Sequence, residues 1–253
     1  MTTFKVIKGR NLLIIAIVLV VLVTTAVTVN VAMASGKKLP VYSTDSADKI
    51  AISFDASWGA DKTRKIIEVL SSYGVTATFF LTGLWIDAFP EEVKYIAESG
   101  FEIGNHSRNH YNMTGLNAKK IGEELDYVNQ KVYELTGQQP KTFRAPFGAY
   151  DNKLIELVEK RGMTCVQWSI DSLDWKGISG EEIKKRIIPA LKGGEIILCH
   201  NNGEHTVEAL EGVIEAALSK GLRFVRMSDM IYSDNYTIDA NGKQIKNSNG
   251  GDI

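Results

Sequence analysis

Between positions 49 and 226 short β-rich runs alternate with amphipathic stretches, and this alternation limits the fold more than any other feature. The strand candidates are 49–54, 76–81, 101–104, 142–144, 164–170, 195–199 and 222–226, and helical patterns occupy 62–73, 91–99, 118–136, 153–161, 181–191 and 207–220. Apolar residues recur at helical spacing in Ile66, Ile67 and Leu70, and again in Leu154, Leu157 and Val158. Parallel neighbours need a crossover connection, so strands separated by helices imply a parallel α/β sheet. A closed or nearly closed barrel is the first expectation and an open doubly wound sheet the second. No glycine-rich phosphate loop follows the first strand, which weakens the nucleotide-binding version of the open sheet.

The formal charge is -1, from 29 basic and 30 acidic side chains. That leaves no basic surplus for phosphate and argues against a nucleic-acid partner. The balance breaks at the start, where Lys5, Lys8 and Arg10 precede the uncharged run LLIIAIVLVVLVTTAVTV at 12–29. Such a run approaches the ~20 residues with which a helix spans a bilayer. The basic flank orients it with the rest of the chain outside the cell. Ala32-Met33-Ala34 resembles a cleavage site, and cleavage near Ala34 with release is the alternative. The expected organisation is a cytoplasmic basic segment (1–11), a transmembrane signal-anchor (12–34), a linker (35–45), one domain (46–235) and a flexible polar tail (236–253). Cys165 and Cys199 lie in apolar strands and read as buried free thiols.

Ionisable residues follow the strand candidates with unusual regularity. Asp55 follows the first, His106 and His110 the third, Asp171 and Asp174 the fifth, and His200 the sixth, while Arg144 ends the fourth. Barrels gather the C-terminal ends of their strands at one mouth, where active sites lie. His106 and His110, in NHSRNH, are four residues apart, so one helical turn aims both imidazoles the same way as a clamp for a divalent metal. Asp55, facing such an ion, is a candidate base, and Arg144 in FRAPFG a candidate fork of donors for a carboxylate. The backbone of Phe147 and Gly148 offers amides to an oxyanion. Asp171 and Asp174 either cap the segment that follows them or charge and orient a histidine, which makes His200 a candidate general acid. Trp175 and Leu198 are candidate walls of an apolar pocket, with Trp58 and Tyr150 nearby as surfaces for a sugar. His205 reads as solvated.

In order, ISFDASWG, NHSRNH, FRAPFG, SLDW and ILCH resemble the five motifs of the polysaccharide deacetylase family, the NodB-homology domain of carbohydrate esterase family four, and within it the PdaB-type sporulation branch. The resemblance spans 46–235 and implies a distorted, incomplete (β/α)7 barrel, here preceded by one transmembrane helix. It implies a hydrolase that removes N-acetyl groups from amino sugars of peptidoglycan or related cell-wall glycan. By that analogy Asp55 is the base, His106 and His110 hold a divalent metal (zinc, or cobalt), Arg144 orients Asp55, and Asp174 tunes His200, the acid. The Phe147 amide then joins the metal at the oxyanion, and Trp175 and Leu198 line the acetyl pocket.

Two positions depart from the family pattern. A second aspartate usually follows the base and completes the metal site; here that residue is Ala56, which weakens the expected metal binding. The substitutes are Asp55 ligating directly or Asp61 reaching in, although Asp61 reads first as the cap of the helix at 62–73. Phe147 stands where tyrosine is common and leaves the backbone amide intact. The rival expectation is therefore a glycan-binding or morphogenetic protein on the same scaffold with weak or no turnover.

Overall fold

Lys49–Ala56 (β2) is buried along almost its whole length on both faces, as a central strand of a parallel sheet must be. The computed structural model describes residues 36–247; the expected basic segment and transmembrane anchor lie outside the described residues. From β2 the chain builds outward through Thr78–Leu81 (β3), Glu102–Asn105 (β4), Thr142–Arg144 (β5) and Thr164–Val166 (β6), each parallel to its neighbour. It then returns to the other side of β2 with Ile196–His200 (β8), flanked by Ile170–Asp171 (β7), giving the order β6-β5-β4-β3-β2-β8-β7. Arg223–Phe224 (β9) pairs with the start of β2. This is an incomplete parallel barrel, as expected. The strand expected at 164–170 is broken into β6 and β7, because Ser169 leaves the β6 edge and bonds to Ile196 instead.

The segment expected to be a linker runs from the outer edge of β6 to the start of β8. Val41, fully buried, donates to the Cys165 carbonyl at 2.9 Å and accepts from the Gln167 amide at 2.7 Å. Ser43–Thr44 (β1) then pairs with Lys243–Lys246 (β11), which pairs with Tyr236–Ile238 (β10). The expected flexible tail is thus, over most of its described length, an ordered hairpin. Its turn is held by Asp239, whose Oδ1 accepts from Asn241 and Lys243 at 2.8 and 2.9 Å, and closes at Gly242 with φ 77°. Strands of two to four residues carry too little apolar alternation to be seen in the sequence, but Asp-Ala-Asn-Gly is a readable turn.

Two hydrophobic layers hold the barrel. Outside it, Phe54, Phe79, Ile197 and Cys199 pack against Ile66, Ile67, Leu70, Ile183, Ile187, Val213 and Ile214 of the surrounding helices. Inside it, Ala51, Phe80, Val166 and Ile196 meet Val41, Met227 and Met230. The interior is a packed core, so substrate access is confined to the mouth. Cys165 and Cys199 are buried and unbridged. No helix among the described residues is long and apolar enough to cross a membrane.

Candidate active site

Strand register alone brings the first two groups together. Asp55, next to last in β2, is the direct partner of His200 at the end of β8, and of Phe80 on β3. Asp55 is almost fully buried, and its Oδ1 accepts from Arg144 Nη1 at 2.8 Å. Arg144 has no exposure at all. Its Nη2 donates to the Gln167 carbonyl at 3.1 Å, its guanidinium lies 4.2 Å from the Phe80 ring, and its Nε has no hydrogen-bond partner. Phe80 is positioned in turn by Gly104, where a Cβ would sit 2.5 Å from the ring.

His106, just past β4, is buried, and its Nδ1 lies 2.7 Å from the Arg144 carbonyl. A carbonyl only accepts, so Nδ1 carries the proton and Nε2 keeps its lone pair, 3.5 Å from Asp55 Oδ2. His110 reaches the same place by a route the sequence did not suggest. No helical turn joins the two histidines: Ser107 and His110 have φ 66° and 55°, and the loop between them is irregular. Asn105 Oδ1 accepts from the Ser107 amide at 2.9 Å, Ser107 Oγ accepts from the His110 amide at 3.2 Å, and Glu124 grips Asn109 through two bonds of 2.7 Å. The imidazole rings end 5.0 Å apart, with His110 wedged between Trp58 and Phe147 at 5.0 and 4.7 Å.

On the opposite wall Asp174, fully buried, holds His200. Its Oδ1 is 2.7 Å from His200 Nδ1, while its Oδ2 accepts from the His200 amide at 2.8 Å and from Thr206 Oγ1 at 2.6 Å. Asp171 takes the capping alternative, accepting from the Leu173 amide at 2.9 Å. Between the walls lies a cavity of about 700 Å³ lined by Asp55, His106, His110, Phe147, Asp174, Trp175, Leu198 and His200, among others. Of the residues to which the family resemblance gives a role, only Arg144 is absent from this lining; it lies behind Asp55. Trp175, Phe147 and Trp58 stand exposed at the rim, and Leu198 is buried. Tyr150 instead packs in a separate cluster and accepts from the Tyr42 hydroxyl at 3.4 Å. Asp61 neither caps a helix nor reaches the cavity; it is exposed, 3.4 Å from Lys62, which is itself the N-terminal boundary of the helix Thr63–Ser72.

Charge is sorted across this cavity. Burial pushes the Asp55 carboxyl up, but Arg144, His106 and His200 outweigh it and hold the pKa below the ordinary carboxylate value. Burial pushes His200 down, but the hydrogen bond and charge of Asp174 win and raise it above the ordinary histidine value. Burial lowers His106, and burial together with His106 lowers His110 to about 4. Both members of the histidine pair are therefore neutral near pH 7, the form that binds metals.

For a divalent ion, the fit is partial. Two neutral imidazoles, one with its lone pair turned toward a carboxylate, are suitable donors. The position that would supply a third is Ala56, which is fully buried within the outer hydrophobic layer. Among the described residues no group of three or more His, Cys, Asp or Glu side chains is drawn together tightly enough to hold a metal.

Sequence reasoning missed the supports: Glu124, Asn105, Thr206 and Gln167 carry no signal until the fold brings them in. Glu124 is the exception in kind, because it lies on the apolar stripe of its helix beside Ile121, Leu125 and Val128.

Comparison with known proteins adds a common pattern. The model of the family described as polysaccharide deacetylase matches residues 42–166. A peptidoglycan-N-acetylglucosamine deacetylase of Bacillus cereus is 33% identical over 72% of this chain and 68% of its own length. The peptidoglycan-N-acetylmuramic acid deacetylase PdaA of Bacillus subtilis is 32% identical over 72% of this chain and 71% of its own length. Among solved structures, a CE4 family pseudoenzyme from Bacillus anthracis superposes with a TM-score of 0.74 at 26% identity, covering 76% of this chain and 68% of that one. A mutant of the same protein is described as having restored enzymatic activity.

Proposed function

This chain belongs to the polysaccharide deacetylase family, and from that premise we propose that it is a hydrolase removing N-acetyl groups from the amino sugars of cell-wall glycan. The observation that carries the reading is the pairing of Asp55 with His200. Neighbouring strand ends present a carboxylate held ionised and an imidazole held protonated, facing one cavity. Two groups whose environments push their pKa values apart in this way are suited to act as base and acid in the same reaction.

Asp55 takes a proton from a water molecule, which attacks the acetamido carbonyl. Arg144 keeps Asp55 ionised and fixes the orientation of its carboxylate. The Phe147 amide, in a left-handed backbone conformation, donates to the developing oxyanion. His200, held through Nδ1 by Asp174, gives a proton to the departing amine, and the carbon–nitrogen bond breaks to leave acetate and a free amino sugar. The acetyl methyl rests between Leu198 and Trp175. His106 and His110 are the residues to hold a divalent ion, zinc or cobalt, which when bound would polarise the carbonyl.

Acetate release from peptidoglycan fragments and chitooligosaccharides, with and without zinc or cobalt, tests the proposal. Sustained release is the expected result, and glycan binding with no acetate under any metal would sink it. That second outcome is the alternative reading, a glycan-binding protein on the deacetylase scaffold; Ala56 and the likeness to a pseudoenzyme favour it. We also take residues 12–34 as a membrane anchor that holds the domain outside the cell, and the PdaB-like motifs as a link to sporulation. Fractionation and an expression time course test these two points.

A further inference from the structure

We infer that Gln167 is the positioning residue of the oxyanion site: its side chain holds the turn that presents the Phe147 amide to the cavity. This rests on the deacetylase reading and adds to it a residue that does not itself line the cavity. The turn needs support from outside. Phe147 has φ 61° and Gly148 φ 68°, and two left-handed residues in succession are disfavoured when the first carries a side chain. The turn's internal bonds run from the Gly148 amide to the Ala145 carbonyl at 3.0 Å and from the Ala149 amide to the Pro146 carbonyl at 3.2 Å. Phe147 is 71% exposed, so burial of its ring contributes little to fixing the backbone.

Gln167 supplies that support. β6 ends at Val166, and the next residue, 1% exposed, aims its side-chain amide at the turn: Nε2 donates to the Gly148 carbonyl at 3.3 Å. Gly148 fits closely between two neighbours, since a Cβ there would sit 3.4 Å from Gln167 Oε1 and 3.1 Å from the Trp168 ring. The arm is rigid because its backbone is fixed on both sides. The Gln167 amide donates to the Val41 carbonyl at 2.7 Å, and its carbonyl accepts from Arg144 Nη2 at 3.1 Å. Arg144 in turn holds Asp55 at 2.8 Å. One buried residue therefore sets the base and the oxyanion donor in a common frame. An oxyanion donor helps only where charge develops, so its aim matters as much as its presence. Without the Gln167 side chain the Phe147 amide remains but its aim loosens, while the cavity walls that bind the unreacted sugar are untouched.

The test separates the tetrahedral state from the ground state. For the full-length chain in detergent, at equal metal and matched folded fraction, calorimetry compares two ligands. One is an oligomer of N-acetylglucosamine; the other is the same oligomer with a methylphosphonamidate in place of one acetamide, an anionic tetrahedral mimic of the attacked carbonyl. Gln167→Met keeps the length of the side chain and both backbone bonds but removes the donor. It should weaken the mimic about tenfold and the plain oligomer by less than about twofold, short of the roughly hundredfold or greater cost of losing an oxyanion donor outright. In acetate release, kcat should fall by about the same tenfold factor with KM unchanged, the split expected of a contact felt only in the transition state. Gly148→Ala, which crowds Gln167 and Trp168 from the other side, should give the same selective loss, and the double variant should lose less than the product of the two. A merely structural role would weaken both ligands alike. That result, or a mimic affinity unchanged in both variants, overturns the inference. Failure of the deacetylase reading has a separate signature, oligomer binding by wild type without acetate, and the ratio of mimic to oligomer affinity then still decides the role of Gln167.

Discussion

Asp174 makes the clearest single-residue test, because three donors meet its two oxygens and one of them is the proposed acid. The sign of its effect follows from the folded-state shifts. His200, raised by Asp174, stays protonated above its ordinary range, so the alkaline limb of the activity profile lies high; Asp55, lowered by Arg144 and the histidines, puts the acid limb low. Asp174→Asn should therefore move the alkaline limb to lower pH and leave the acid limb in place, as read from kcat against pH. An unmoved alkaline limb would assign that proton to another group. The same pairing stabilises the fold fully below the unfolded histidine pKa and is lost as pH rises through the raised folded value. Asp55 works in the opposite direction, contributing above the unfolded carboxylate pKa and fading as pH falls through its lowered folded value. Ala56 invites a second substitution. It is fully buried in an apolar layer, so Ala56→Asp introduces a carboxylate that is costly unless a cation meets it. The variant should melt lower than wild type in chelator and regain stability with zinc, while wild type shifts little. Equal zinc responses by scanning calorimetry would mean that a different group already supplies the third donor.

At the scale of elements, the site is a set of strand ends made exact by what lies behind them. Gly104 on β4 leaves room for the Phe80 ring on β3, which packs on the Arg144 guanidinium at the end of β5, which holds Asp55 on β2. Gly104→Ala should destabilise by about 1–3 kcal/mol through overpacking and lower kcat more than it raises KM. Adding Phe80→Leu, which vacates the space, should restore part of both losses, and a strictly additive double mutant would break the proposed chain of contacts. This level also explains what the sequence could and could not disclose. Ends of strands are legible because apolar runs locate them, and Asp55, His106, Arg144 and His200 do lie at or just past such ends. The loop from His106 to His110 was not, because its shape comes from Asn105, Ser107 and Glu124 rather than from local helical preference. Within LNAKKIGEELDY, Glu124 stands among other charges, and only its place on the apolar stripe of the helix sets it apart; it is fully buried and holds Asn109 of the loop. Asp61 misled for the related reason that a short exposed carboxylate before a helix satisfies the pattern of a cap without making one.

Across the whole molecule, chemistry and closure occupy opposite ends of the barrel. The mouth carries the cavity, while β1, β10 and β11 gather near the start of β8, where Thr44 donates to the Gly194 carbonyl at 2.8 Å. Gln244 joins the small sheet to the preceding chain: fully buried, it accepts from the Tyr232 amide at 2.8 Å and donates to its carbonyl at 2.7 Å. Gln244→Ala leaves both groups unpaired, which costs about 1–3 kcal/mol and lowers Tm by roughly 5 °C, with kcat and KM unchanged. A change in kinetics at matched folded fraction would show that the two ends communicate. The composition of 236–253 suggested mobility because Asn, Gly and Asp dominate it, yet those residues are also what a tight turn needs. The central claim remains the joint action of Asp55 and His200, and its most direct test is acetate release from chitooligosaccharides by wild type and by Asp55→Asn, at equal folded fraction and equal metal. The account predicts release by wild type and a loss of about a thousandfold in kcat for the variant; retention of the wild-type rate by Asp55→Asn would contradict it.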